Sequence, residues 1–122
     1  MFKLAPSDRF TYPVTVETIV NGGATRKDKF SVTFARLSTT EVTDWVDRII
    51  EAGREGTETA VQTARDLAHK VVLDWQEVLG DDGTPVPFST DMLSQALEIH
   101  PFPTSIASAW LEAVNGGAKR KN

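Results

Sequence analysis

The chain contains no cysteine, which excludes disulfides, thiolate nucleophiles and the Cys-rich zinc frameworks. Folding therefore rests on packing alone. Histidine is scarce: His69 and His100 are the only two, and neither stands in a metal-binding spacing such as His-Glu-x-x-His. No apolar run approaches the roughly 20 residues that a spanning helix needs. The beginning, Met1-Phe2-Lys3-Leu4, has no basic region leading into an apolar one, so neither a membrane span nor a secretory signal is expected and the chain reads as cytosolic. No Gly-x-Ser-x-Gly elbow offers a hydrolase nucleophile. Asn21-Gly22-Gly23-Ala24-Thr25 lacks the closing Gly-Lys-Ser/Thr of a phosphate loop. The expectation is a protein without a catalytic site, cofactor or metal, acting by holding another protein.

What is present is ordinary globular material. An apolar fraction of 40% and a charged fraction of 25% over 122 residues suit one domain with one modest core. The net charge of −4 hides an asymmetry. Lys119, Arg120 and Lys121 supply three of the 13 basic residues, leaving residues 1–118 with ten positive against 17 negative charges. An acidic body of this kind argues against phosphate-backbone binding. The basic end reads as a solvated terminus whose charge suits the negative end of a helix.

The order of elements predicts an α+β domain over residues 1–115, with a flexible basic tail at 116–122. Tyr12, Val14, Val16 and Val20 alternate onto one face, and Phe30, Val32 and Phe34 resume the alternation after a polar loop rich in glycine, giving a β-hairpin over about 12–37. Two strands are marginal alone, and Phe2–Phe10 is the candidate for a short extra strand. Ser38-Thr39-Thr40-Glu41 has the spacing of a capping box. A helix over about 39–52 follows, with Val42, Trp45, Val46, Ile49 and Ile50 as its stripe and Gly53 as its stop. Residues 53–57 are the candidate hinge. A long helix is predicted over about 58–79, carrying Leu67, Val71, Val72, Trp75 and Leu79, and ended by Gly80. Ser89 is the N-cap of a helix over about 90–99, with Phe88 and Leu93 as its hydrophobic staple. Pro101-Phe102-Pro103 ends that helix, and Thr104 or Ser105 starts the last one, over about 104–115.

Three constellations have a bland and a functional reading. Asp81 and Asp82, beside Glu77 and Asp91, could suggest a cation site, but the alternating oxygen ligands of a calcium loop are missing and Asp-Gly favours a turn. His69 reads as part of a solvated helical face, and His100 as a helix-closing residue. Trp45, Trp75 and Trp110 fall one per predicted helix and read as core. Trp110 is the candidate interface anchor, because a short terminal helix can present a face outward.

The segment Asp74-Trp75-Gln76-Glu77-Val78-Leu79-Gly80-Asp81-Asp82-Gly83-Thr84-Pro85-Val86-Pro87-Phe88-Ser89, followed by Met92-Leu93-Ser94-Gln95-Ala96-Leu97, resembles the tail assembly chaperones of long-tailed bacteriophages. The resemblance continues through Ala109-Trp110-Leu111-Glu112-Ala113 to the Arg-Lys-Asn ending. It covers about the last 48 residues. It implies a protein of the host cytoplasm that binds and solubilises the phage tape-measure protein and helps recruit major tail-tube subunits, without entering the finished virion. It also implies a longer form made by frameshifting near the end of the short one.

A helical, one-face-apolar partner calls for an apolar groove. The expected partner-binding surface lies in residues 88–114: Phe88, Met92, Leu93 and Leu97 from one helix and its approach, and Phe102, Ile106, Trp110 and Leu111 from the next, with Phe102 and Trp110 as anchors. The hairpin's free edge offers a route to homo-oligomers. The competing expectation is a structural head-to-tail completion or tail-terminator protein retained in the particle.

Overall fold

The computed structural model describes residues 1–4 and 6–116. The expected tail lies outside the described residues apart from Gly116. The architecture is α+β: a three-stranded antiparallel sheet and four helices.

Strand β1 (Arg9–Ile19) and strand β2 (Thr25–Ala35) form the hairpin, with Val14 opposite Phe30 and Phe10 opposite Phe34. The strands reach further than the polar composition of residues 25–29 suggested. The connection shrinks to Val20–Ala24, where Asn21–Gly23 make a single 3-10 turn. Val14, Phe30, Val32 and Phe34 point inward and are buried, while Val20, expected on that face, lies in the connection and is exposed. Residues 25–29 are exposed throughout, so the distal end of the hairpin runs beyond the core.

The third strand is not where the sequence suggested. No strand forms among the described residues of 1–8; the hairpin is completed instead by β3 (Val72–Gln76), antiparallel to β2. The predicted helix over 58–79 therefore divides into α2 (Thr57–Val71) and β3, and Trp75 sits on a strand. β2 has a second edge whose main-chain groups need partners, and β3 provides them. The Asp74 side chain favours the change locally by accepting from the Trp75 N–H at 2.8 Å, a bond that a helical ladder would have used.

Helix α1 (Thr39–Glu55) starts at the expected capping box: the Glu41 N–H donates to Ser38 Oγ at 3.2 Å, and the Ser38 N–H donates back to the Glu41 carboxylate at 3.2 Å. It continues through Gly53, because a glycine with no need for positive φ weakens a helix without ending it. The break comes at Gly56, whose φ of 132° strains any residue with a Cβ, and which joins α1 directly to α2. The candidate hinge is thus one residue between two helices.

Helix α3 (Thr90–Ala96) begins at Ser89, whose Oγ accepts from the Met92 N–H at 3.1 Å. It ends three residues earlier than predicted. His100 lies in the turn beyond it, joined to Pro101 by a cis peptide, and closes no helix. Helix α4 (Phe102–Val114) starts before Thr104, since Pro103 in the first turn lacks an N–H that would have had no helical partner anyway.

Helices α2 and α4 cover the inner face of the sheet, and α1 packs on α2. The core joins Val14, Phe30, Val32 and Phe34 to Leu67, Val71, Ile106 and Trp110, and Trp75 packs edge-on against both Phe88 and Phe102.

Candidate functional site

The expected partner-binding residues are mostly in that core. Leu93, Leu97, Phe102 and Ile106 are buried, and Trp110 is 1% exposed. Phe88, Met92 and Leu111 are partly buried against the same cluster. Phe102 stacks on Phe30 with ring centroids 5.6 Å apart and their planes nearly parallel. Neither Phe102 nor Trp110 is an outward anchor. The physical reason is packing: α4 lies against β1 and α2 with its apolar side inward, and Phe102 meets the rings of both Phe30 and Trp75.

The Asp81–Asp82 segment is a turn. Asp82 Oδ1 accepts from the Thr84 N–H at 3.0 Å and from Thr84 Oγ1 at 2.7 Å, and these bonds hold its carboxyl below the usual carboxylate range. Gly83 takes a φ of 80° to complete it. Among the described residues no three His, Asp or Glu side chains gather as a metal site. His69 is on the exposed side of α2.

A concavity lies at the other end of α4, where it meets the hairpin and the start of α1. This cleft of about 520 Å³ is walled by Phe10 and Tyr12 from β1, Ala35 to Leu37 at the end of β2, Thr39 and Val42 from α1, and Ala113 and Val114 from α4, with Trp110 contributing to its floor. Each wall has a local cause. Strand alternation puts Phe10 and Tyr12 on the inner face beyond the last turn of α4. The capping box fixes where α1 begins, and so where Val42 stands.

Among the described residues, Arg36 is the only charged one in the walls. Its Nε donates to the Ser7 carbonyl at 2.8 Å, its main-chain N–H donates to the Asp8 carbonyl at 2.9 Å, and its guanidinium lies 5.0 Å from the Phe10 ring centroid. It therefore ties the entry of β1 to the rim. On one side of the cleft the Tyr12 hydroxyl donates to Glu112 at 2.9 Å. Outside the cleft lining, Glu41 is held below the usual carboxylate range by the Ser38 N–H and by Lys70 of α2, whose Nζ is 3.5 Å away. The lining mixes polar and apolar surface in about equal parts, with Tyr12, Arg36 and Thr39 beside Phe10, Leu37, Val42 and Val114. The cleft falls within the range of about 300–1,000 Å³ typical of ligand pockets.

Trp110 is the one expected site residue that reaches this cleft. Phe10, Leu37, Val42 and Val114 line it and were not among the expected partner-binding residues. The alternation of β1 and the stripe of α1 point Tyr12 and Val42 inward, where both pack against the core, but neither pattern signals a gap between them.

Compared with known proteins, the chain matches no family model, no curated protein and no solved structure. No described helix is long and apolar enough to cross a membrane.

Proposed function

We propose that this chain is a tail assembly chaperone of a long-tailed bacteriophage. On this reading it works in the host cytoplasm, solubilises the tape-measure protein, helps recruit major tail-tube subunits and stays out of the virion. It is a binding protein and no enzyme.

The structural observation that supports the reading is the cleft between β1, α1 and α4, where Phe10, Leu37, Val42 and Val114 stand among polar groups. A tape-measure helix with apolar residues at i, i+3 or i+4 and i+7 can place roughly two or three side chains in such a groove. The resemblance in residues 74–113 supports the family, while the binding surface moves from the outer faces of α3 and α4 to the cleft. Residues 1–118 carry an excess of acidic over basic side chains, which favours a basic client.

Co-expression with the tape-measure protein of the same tail gene cluster tests this. A soluble complex is expected, and an insoluble partner beside abundant chain would refute it. Mass spectrometry of purified particles separates it from the structural alternative, since many copies per virion would mean a completion or terminator protein.

A further inference from the structure

The Arg36 side chain is fixed at one end of its guanidinium and open at the other. Its Nε donates to the Ser7 carbonyl at 2.8 Å, and the guanidinium carbon lies 5.0 Å from the Phe10 ring centroid. A planar group held at Nε and against a ring keeps little freedom to turn. Among the described residues its terminal amino groups, Nη1 and Nη2, have no hydrogen-bond or ion-pair partner. They form an edge of the fork that a carboxylate meets with two parallel bonds.

The groups around Arg36 decide what else the ligand carries. Among the described residues of the lining there is no second charge, so an anion there meets one cation and no carboxylate wall. Thr39, the first residue of α1, also lines the cleft. The Ser38 side chain caps the Glu41 N–H, which leaves the Thr39 N–H without a helical partner at the end of the helix that favours negative charge. Leu37, Val42 and Val114 stand in the same lining and are partly buried against the core, so they present apolar groups that are already held in place.

Size and charge together narrow the ligand. A volume of about 520 Å³ admits one compact apolar group with its polar head. A neutral apolar ligand would cover the guanidinium and leave its donors unpaired. A phosphate dianion would bring a second charge beside apolar groups with no second cation to meet it. A monocarboxylate avoids both costs.

We propose that the cleft binds a carboxylate carried on a compact apolar group, with the carboxylate on the Nη edge of Arg36 and the apolar group against Leu37, Val42 and Val114. A free acid and the last residue of a peptide share this chemistry. The proposal needs only the geometry of the cleft and stands apart from the tape-measure assignment.

N-acetylphenylalanine, titrated into the isotope-labelled chain and followed by NMR, tests it. Saturable binding is expected, with a dissociation constant on the order of 1 mM for so small a ligand and the largest shifts at the Arg36 Nε–H and the main chain of Leu37, Thr39 and Val114. N-acetylphenylalanine amide has the same shape without the charge and should bind about tenfold more weakly or worse, as the loss of a charged hydrogen bond implies. Arg36→Gln should weaken the acid by a similar factor and leave the amide unchanged. Arg36→Lys keeps the charge but loses the fork, and should recover only part of the affinity. The acid and the amide are compared on the parent chain, so that comparison decides even if Arg36→Gln disturbs the cleft. Acetyl-Ala-Ala-Phe separates the two sources: tighter binding than the single residue assigns the end of a chain, equal or weaker binding a free acid, and both uphold the site. No saturable binding of the acid, equal affinity for acid and amide, shifts centred away from Arg36, or an Arg36→Gln chain that binds the acid as the parent does would overturn the proposal. The assays use this chain alone, so failure of the client interaction would leave their outcome untouched.

Discussion

The indole N–H of Trp75 donates to the main-chain oxygen of Val86 at 2.8 Å, joining β3 to the far side of the Asp82–Gly83 turn. The bond holds the returning chain where Val86 also donates its N–H to Val78 at 2.8 Å, and it seats Phe88 edge-on against the Trp75 ring. Trp75→Phe leaves the partly buried Val86 oxygen without its donor, and the loss of one such hydrogen bond costs about 0.5–1.5 kcal/mol. The expected outcome is a urea midpoint lowered by an equivalent amount with the slope unchanged. An unaltered midpoint would mean that water replaces the indole at no cost.

The same residue shows what the sequence could and could not reveal. Trp75 reads as core from its apolar company, and it is buried; its element was misread. Val71, Val72, Trp75, Val78 and Leu79 fall at helical spacing, but the spacing of Val72 and Trp75 also fits a strand whose pairing shifts register, as it does opposite Thr33 and Phe34. Local periodicity cannot choose between these. The choice is made by the unfilled edge of β2, some 40 residues earlier in the chain, which favours a strand over about two more helical turns. By contrast, the Ser38 and Ser89 caps were legible because both partners of each bond lie within four residues. The cleft was hidden for the opposite reason: its walls come from β1, α1 and α4, and no short stretch of sequence contains the gap between them.

The capping box of α1 gives a stability prediction. Ser38 Oγ satisfies the Glu41 N–H, which otherwise has no helical partner. Ser38→Ala should lower stability by about 0.5–2 kcal/mol, measured by thermal or chemical unfolding.

Glu41 makes the box pH-dependent. Its carboxyl is held below its ordinary value by the Ser38 N–H and by Lys70. A folded-state value below the unfolded one means that the unfolded chain binds the proton more readily. The contribution is therefore complete above the ordinary Glu range, about 4.3, and is lost as pH falls through the lowered folded value. Glu41→Gln should flatten this part of the stability profile. A parent profile with the same acid slope as the variant would show that Glu41 adds nothing.

Pro13 predicts a gain of association. It occupies the centre of the free edge of β1, at a position whose missing N–H would have pointed away from β2. Pro13→Thr restores the donor and adds a residue that favours strands. Light scattering should detect species larger than those of the parent, growing with concentration. A variant that scatters like the parent would show that the edge is protected by something else.

Leu37 separates binding from folding. It is partly buried at the rim of the cleft, at the junction between β2 and α1. Under the proposed function, Leu37→Asp should abolish solubilisation of the tape-measure client on co-expression, while Leu79→Asp, at a side chain 59% exposed and outside the cleft, should leave it intact. Circular dichroism of both variants should match the parent. If Leu79→Asp disrupts the complex and Leu37→Asp does not, the client docks beyond the turn at Gly80 and the cleft is not its site.

Trp110 carries a different burden. Only 1% exposed, it lies beneath the cleft within the cluster that includes Val14 and Ile106. If it were an outward anchor, truncation would weaken a partner complex and spare the fold, as removal of an interface residue does. Buried as it is, Trp110→Ala should cost about 3–5 kcal/mol of stability, a large share of the roughly 5–15 kcal/mol that holds a domain folded. Its loss should thus appear first as a lowered urea midpoint of the chain alone. Trp110→Phe, which keeps most of the apolar volume, should recover much of that stability and, with the rim intact, retain client binding. A stable Trp110→Ala variant that fails only in binding would show instead that the indole faces the partner and that α4 sits differently on the sheet.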